Sequence, residues 1–323
     1  MRRRSFIIGM GALGGGAMIT KGCATTPPIT DEAREAALAA EAQYPPIGRI
    51  VPTAFGAVHA TDQGRGDAPP VVLIHGASGN VRDWTFGIAE PLAAKRRVIA
   101  MDRPGFGYSE RIGEEMWRPA RQAAQLHAAA KAMGVEKPIL VGHSWGASVA
   151  LAWAEEHPDD VTGVVSVSGV TQPWGGVVPL LDTLGFGNLI AGWYSRRLSR
   201  TAETGGVEDF IRRAFRPQTP PSGYVDYVGG PLAVREKTLK ANAEDLAKTN
   251  PAVTEVAAKY PSIKVPVEIM HGDSDWLLDI EQHGVATASD IPTARLTPLP
   301  GVGHMAHHAR TDVLGDLIEK LSA

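Results

Sequence analysis

The chain has 323 residues, 44% of them hydrophobic and 21% charged, with a formal net charge of -3. This is ordinary globular composition, long enough for a sizeable core. Arg2, Arg3, Arg4 and Lys21 crowd the start, so the rest is more acidic still, and with no basic cluster it gives no support for a nucleic-acid partner. The single cysteine, Cys23, excludes an intrachain disulfide and a thiolate metal cage.

Residues 1–23 have the layout of an export signal: a basic start, an apolar stretch from Phe6 to Ile19, then small residues. That stretch is shorter than the ~20 residues a bilayer span needs. Arg3-Arg4-Ser5-Phe6-Ile7 resembles a bacterial twin-arginine signal, with a Sec-type signal or an uncleaved anchor as the alternatives. Gly22-Cys23 admits two fates, lipidation of Cys23 or cleavage near Ala24. The expected location is the bacterial periplasm or cell envelope, with a membrane tether if Cys23 is lipidated. Residues 24–46 form a linker and a helix, "DEAREAALAAEAQ", with Asp31 and Glu32 in its first turn, where the helix dipole favours them, and "YPP" ending it.

Short apolar runs then alternate with helical patterns: "VVLI" (71–74), "VIAM" (98–101), "ILV" (139–141), "VVSV" (164–167), "VEIM" (267–270) and "ARLTPL" (294–299). Continuous apolar strands separated by helices predict an α/β fold, a mostly parallel sheet covered on both faces. Residues 50–60 add strands at an antiparallel edge. The rhythm breaks over residues 171–262, too long for a plain loop. Stretches such as "PLAVREKTLKANAEDLAKT" read as helical, and aromatic residues gather there. This segment is expected to be an inserted helical cap on a core formed by residues 47–170 and 263–323.

The chemistry centres on "ILVGHSWGASVALAWAEEHP" (139–158). An apolar strand runs into Gly142-His143-Ser144-Trp145-Gly146, and a helical pattern follows. A G-x-S-x-G between a strand and a helix displays its serine at the carboxyl end of the sheet, where open α/β sheets bind ligands. A serine hydroxyl needs a base, and the base an orienting acid. Downstream, "VEIMHGDSDW" offers Asp273 and Asp275 after a strand, and "LPGVGHMAHH" offers His304 in a loop after the last strand. Negative charge formed on attack needs N–H donors: the backbone of Trp145, and of Ala77 in "HGASGN". His307 and His308 begin the final helical pattern. Nothing in the sequence marks a third ligand beside them, so no metal is expected.

"HGASGNVRDW", "MDRPGFGYS", "GHSWGAS", "HGDSD" and "GVGH" resemble, in that order, the signature stretches of the α/β-hydrolase superfamily, from about Pro46 to the C-terminus. The resemblance implies Ser144 as nucleophile, Asp275 as acid and His304 as base, with Ala77 and Trp145 as oxyanion donors and no cofactor. It implies that Asp102 is structural and Asp273 a turn former. "DRPGFGYS" looks like the dehalogenase and epoxide-hydrolase branch, whose nucleophile is aspartate. Serine at 144 argues against both activities and suits acyl transfer. Trp84, Trp145 and Trp276 are candidates for the wall of a substrate pocket, with core packing the competing role for Trp84 and Trp276. The expected partner is a small-molecule ester. Carbon–carbon or lactone hydrolysis, cofactor-free peroxide chemistry and slow-turnover ligand binding are the alternatives. A histidine base must be neutral, so activity is expected to fall as pH drops through about 6–7.

Overall fold

The computed structural model describes residues 31–173 and 206–323. The expected export signal, Cys23 and part of the expected cap lie outside the described residues. The chain opens on α1 (Asp31–Gln43), then β1 (Arg49–Val51) and β2 (Val58–Ala60). There follow β3 (Ala68–Ile74), α2 (Arg82–Thr85), α3 (Ala89–Ala93), β4 (Arg96–Met101), α4 (Pro119–Ala132), β5 (Ile139–His143), α5 (Trp145–Glu156) and β6 (Gly163–Val167). Each apolar run read from the sequence is a strand. Together they form an eight-stranded sheet in the order β1-β2-β4-β3-β5-β6, continued by β7 (Val267–Gly272) and β8 (Ala294–Leu299). All pairings from β4 onward are parallel, and only the β1–β2 and β2–β4 pairings at one edge are antiparallel.

Two-residue periodicity divides the buried strand residues between the faces. Val72 and Ile74 of β3 join Ile99, Met101 and Leu140 in one cluster, covered by α4 and α5. Val71 and Leu73 join Val98, Ala100, Ile139 and Val141 in the other, covered by α2, α3 and the C-terminal helix. Helix α5 has almost no polar face, and ten of its twelve residues are buried. A helix apolar all round belongs inside a core. Pro158 follows it and stops it.

Between β6 and β7 the described residues form α6 (Gly206–Ala214), α7 (Tyr224–Tyr227), α8 (Gly230–Ala233), α9 (Glu236–Ala247) and α10 (Thr249–Ala257). A buried ion pair fastens this segment to the sheet: Arg103, in the loop after β4, meets Asp245 of α9 at 2.8 Å, and both are fully buried. After β7 come α11 (Ala286–Asp290), β8, α12 (Ala306–Ala309) and α13 (Thr311–Ser322). Among the described residues no helix is long and apolar enough to cross a membrane.

Candidate active site

Ser144 is the single residue between β5 and α5, at φ 51° and ψ -116°. A positive φ is uncommon for a residue with a side chain and costs on the order of 1–3 kcal/mol, so the surroundings must enforce it. Its N–H donates to Val167 O at 2.9 Å, and its carbonyl accepts from Val170 N at 3.0 Å. The flanking glycines are required by space. A Cβ on Gly142 would lie 2.3 Å from Gly146 O, and one on Gly146 would lie 2.3 Å from Ile74 O. The motif's spacing is therefore a packing requirement of a strand and a helix in backbone contact around a strained residue.

His304 lies in the loop between β8 and α12, and Asp275 follows β7. His304 Nδ1 lies 2.7 Å from Asp275 Oδ2. The other carboxylate oxygen, Oδ1, accepts the backbone N–H groups of Leu277 (2.9 Å) and Leu278 (3.1 Å). Burial alone would raise the Asp275 carboxyl. Hydrogen bonds from His271 and His304 outweigh it and hold the group well below the ordinary carboxylate range. Asp273 does not face His304; its carboxylate accepts Gly301 N–H at 2.7 Å at the surface, as a turn former does. Asp102 is fully buried in a structural network. It accepts N–H groups of Val81 (2.7 Å) and Tyr108 (2.8 Å) and meets His59 Nδ1 at 2.6 Å.

Ser144 and His304 line one cavity of about 380 Å³, together with Ala77 and Trp145. Trp145 is the first residue of α5, so its N–H has no partner within the helix. Gly76 brings the Ala77 loop against the serine: a Cβ there would sit 3.1 Å from Ser144 Cβ. The far wall comes from the segment between β6 and β7, with Phe210, Ile211, Phe215, Tyr224, Val228 and Leu246. No arginine or lysine is among the described lining residues.

Neither Trp84 nor Trp276 is on that wall. Trp84 is fully buried, packed against the His307 ring with centroids 4.7 Å apart. Trp276 is 52% exposed, and its indole N–H donates to Arg213 O at 2.8 Å. His143 packs beside the base: its Nε2 lies 3.1 Å from His304 O, and burial among His307 and His304 pushes its imidazole well below the ordinary range.

Sequence reasoning missed two neighbours of the site. His271, in β7, places Nε2 3.5 Å from Asp275 Oδ2 and 3.0 Å from Leu278 O. It stood in the quoted "HGDSD" stretch without a role. Asp83, in α2, meets His307 and His308 at 3.2 and 2.9 Å. It supplies the third group that the sequence did not mark beside those histidines.

A family model described as alpha/beta hydrolase fold matches residues 69–206. The chain is 27% identical over 297 residues to 2-hydroxymuconate semialdehyde hydrolase of Pseudomonas putida, covering 87% of this chain and 96% of that one. It is 25% identical to 2-hydroxy-6-oxo-6-phenylhexa-2,4-dienoate hydrolase of Burkholderia cepacia, covering 80% and 89%. A thermophilic esterase from Thermogutta terrifontis superposes with a TM-score of 0.63 at 21% identity, covering 85% and 99%. The sheet order, the strand–serine–helix turn and the family match together give this chain the α/β-hydrolase fold.

Proposed function

We propose that the protein is an exported serine hydrolase that cleaves a neutral carboxylic ester of small to medium size. Ser144 attacks the carbonyl, and His304 takes its proton through Nε2. Asp275 holds the other nitrogen, Nδ1, and steadies the imidazolium. The N–H groups of Ala77 and Trp145 receive the oxyanion, and water then releases the acyl-enzyme. The observation that carries this reading is the His304–Asp275 pair at 2.7 Å beside a strained serine on one cavity wall. A cavity of about 380 Å³ falls at the small end of ligand pockets, which run from about 300 to 1,000 Å³. The helices between β6 and β7 act as its cap. Export, with or without lipidation of Cys23, rests on the first 23 residues alone.

Carbon–carbon hydrolysis is the second reading, favoured by the names of the two relatives. A dienoate carries a carboxylate, and no arginine or lysine among the described lining residues is there to neutralise it, at a cost in binding. We therefore rank neutral esters first. The test is a side-by-side assay of p-nitrophenyl esters of graded chain length and a 2-hydroxy-6-oxo-dienoate. The ester reading predicts higher kcat/KM on an ester of short or medium chain. A dienoate preferred by tenfold or more would replace it with the carbon–carbon reading.

A further inference from the structure

One buried cluster beside the cavity has no part in the proposed ester hydrolysis. Asp83 reaches it from α2, and His307 and His308 reach it from α12, some 224 residues further on. The side chains are almost wholly buried, with exposures of 6%, 0% and 3%. One ligating atom from each lies within 4.8 Å of the others, and among the described residues no other such group of three is found. His308 Nε2 is 2.9 Å from Asp83 Oδ1, and His307 Nε2 is 3.2 Å from Oδ2. Around a tetrahedral zinc with bonds of about 2.0–2.2 Å, neighbouring ligand atoms stand about 3.3–3.6 Å apart. The two histidine–carboxylate spacings need to open by only a few tenths of an ångström, and the three ligand atoms together lie within 4.8 Å of one another.

We propose that Asp83, His307 and His308 form a three-ligand site for a divalent transition cation of the zinc class. Two imidazoles and one carboxylate match that class better than magnesium or calcium, which prefer oxygen donors. Tyr224 Oη donates to Asp83 Oδ1 at 2.7 Å, at the edge of the cluster. Asp83 and Tyr224 both line the cavity that holds Ser144, which gives the ion a way in.

A hydrogen-bond hub without a cation is the rival arrangement, and it is crowded. Tyr224 Oη and His308 Nε2 both converge on Asp83 Oδ1, while His307 Nε2 sits 3.3 Å and 3.2 Å from the two oxygens. A proton on His307 Nε2 would leave a lone pair on Nδ1, which is buried and has no hydrogen-bond partner. A cation bound at Nε2 would place the proton on Nδ1 instead, on a ring that packs tilted against Trp84 with centroids 4.7 Å apart. A bound ion would brace α2, just after the Ala77 loop, against α12, just after His304.

The test strips the full-length protein with a chelator and titrates it with Co²⁺, read by visible absorption. One equivalent is expected to give the bands of four- or five-coordinate cobalt, displaced by Zn²⁺. Asp83→Asn and His308→Gln are expected to weaken binding at least 100-fold. His127→Ala, at a separate His127–His157 stack next to Asp160, is expected to leave it intact. The absence of a stoichiometric band, or a band that survives both cluster variants, overturns the site. If the variants do not fold, the wild type alone decides: binding to the native state must raise Tm with added Zn²⁺, and an unmoved Tm overturns the proposal. None of these readings depends on which substrate the enzyme turns over.

Discussion

Asp275→Asn separates orientation of the base from integrity of the fold. The native carboxylate uses Oδ1 for two backbone N–H groups and Oδ2 for His304 Nδ1. An asparagine can keep its carbonyl oxygen on Leu277 and Leu278, because those bonds demand an acceptor. Its NH₂ group then faces His304 Nδ1. Two donors cannot share that contact, so the imidazole must shift its proton to Nε2 and present a lone pair to the asparagine. The nitrogen that should accept the serine proton is then already protonated. The equivalent change in a serine protease triad lowers kcat by about 10⁴, or about 5 kcal/mol of barrier. We expect a loss of that order in kcat on a p-nitrophenyl ester, with a thermal melt close to wild type because both backbone bonds survive. A folded variant that loses less than tenfold would refute the role assigned to Asp275.

Further outcomes follow from the same geometry. Asp245→Ala strands Arg103 in a fully buried site, where burial already pushes its guanidinium down to about 10, and should cost about 3–5 kcal/mol in denaturant unfolding. A cost under about 1 kcal/mol would mean that Gln122 and the loop carbonyls suffice. Gly146→Ala drives a Cβ to 2.3 Å from Ile74 O and should cost beyond about 4 kcal/mol or abolish soluble expression. Gly315→Ala, in α13 with nothing within 4 Å of the new methyl, should instead stabilise by about 0.5–1 kcal/mol. Burial pushes His75 and His283 down to about 4, so between about 4 and 6.5 the unfolded chain binds more protons than the folded one. Stability should therefore fall as pH drops through that window, by on the order of 1 kcal/mol per histidine at pH 5.5. Melts at pH 7.5 and 5.5 check this, and equal values would contradict it.

The central strands were legible because burial on both faces writes them as largely apolar runs, whereas the edge strand β8 buries only Leu299. Ser144 was legible because backbone contact around the turn admits only glycine at 142 and 146. Side-chain direction was not written in the same way. Trp84 and Trp276 share an indole and a place near the site, yet the short helix α2 turns one into the core while the other rests on a backbone carbonyl of α6. Asp83 was invisible for a different reason. Its partners lie 224 residues away, and only the closing of the sheet and the packing of α12 against it bring them together. His271 needed the register of β7 to show which side of the strand it occupies.

Ser144 is the proposed nucleophile of an ester hydrolase. The most direct measurement compares the wild type and Ser144→Ala on p-nitrophenyl esters, with a fluorophosphonate probe followed by mass spectrometry. We expect sustained turnover by the wild type, a loss on the order of 10⁴-fold or more in the variant, and a single covalent adduct on Ser144. Equal turnover by both proteins, or an adduct on another residue, would rule out Ser144 as the nucleophile.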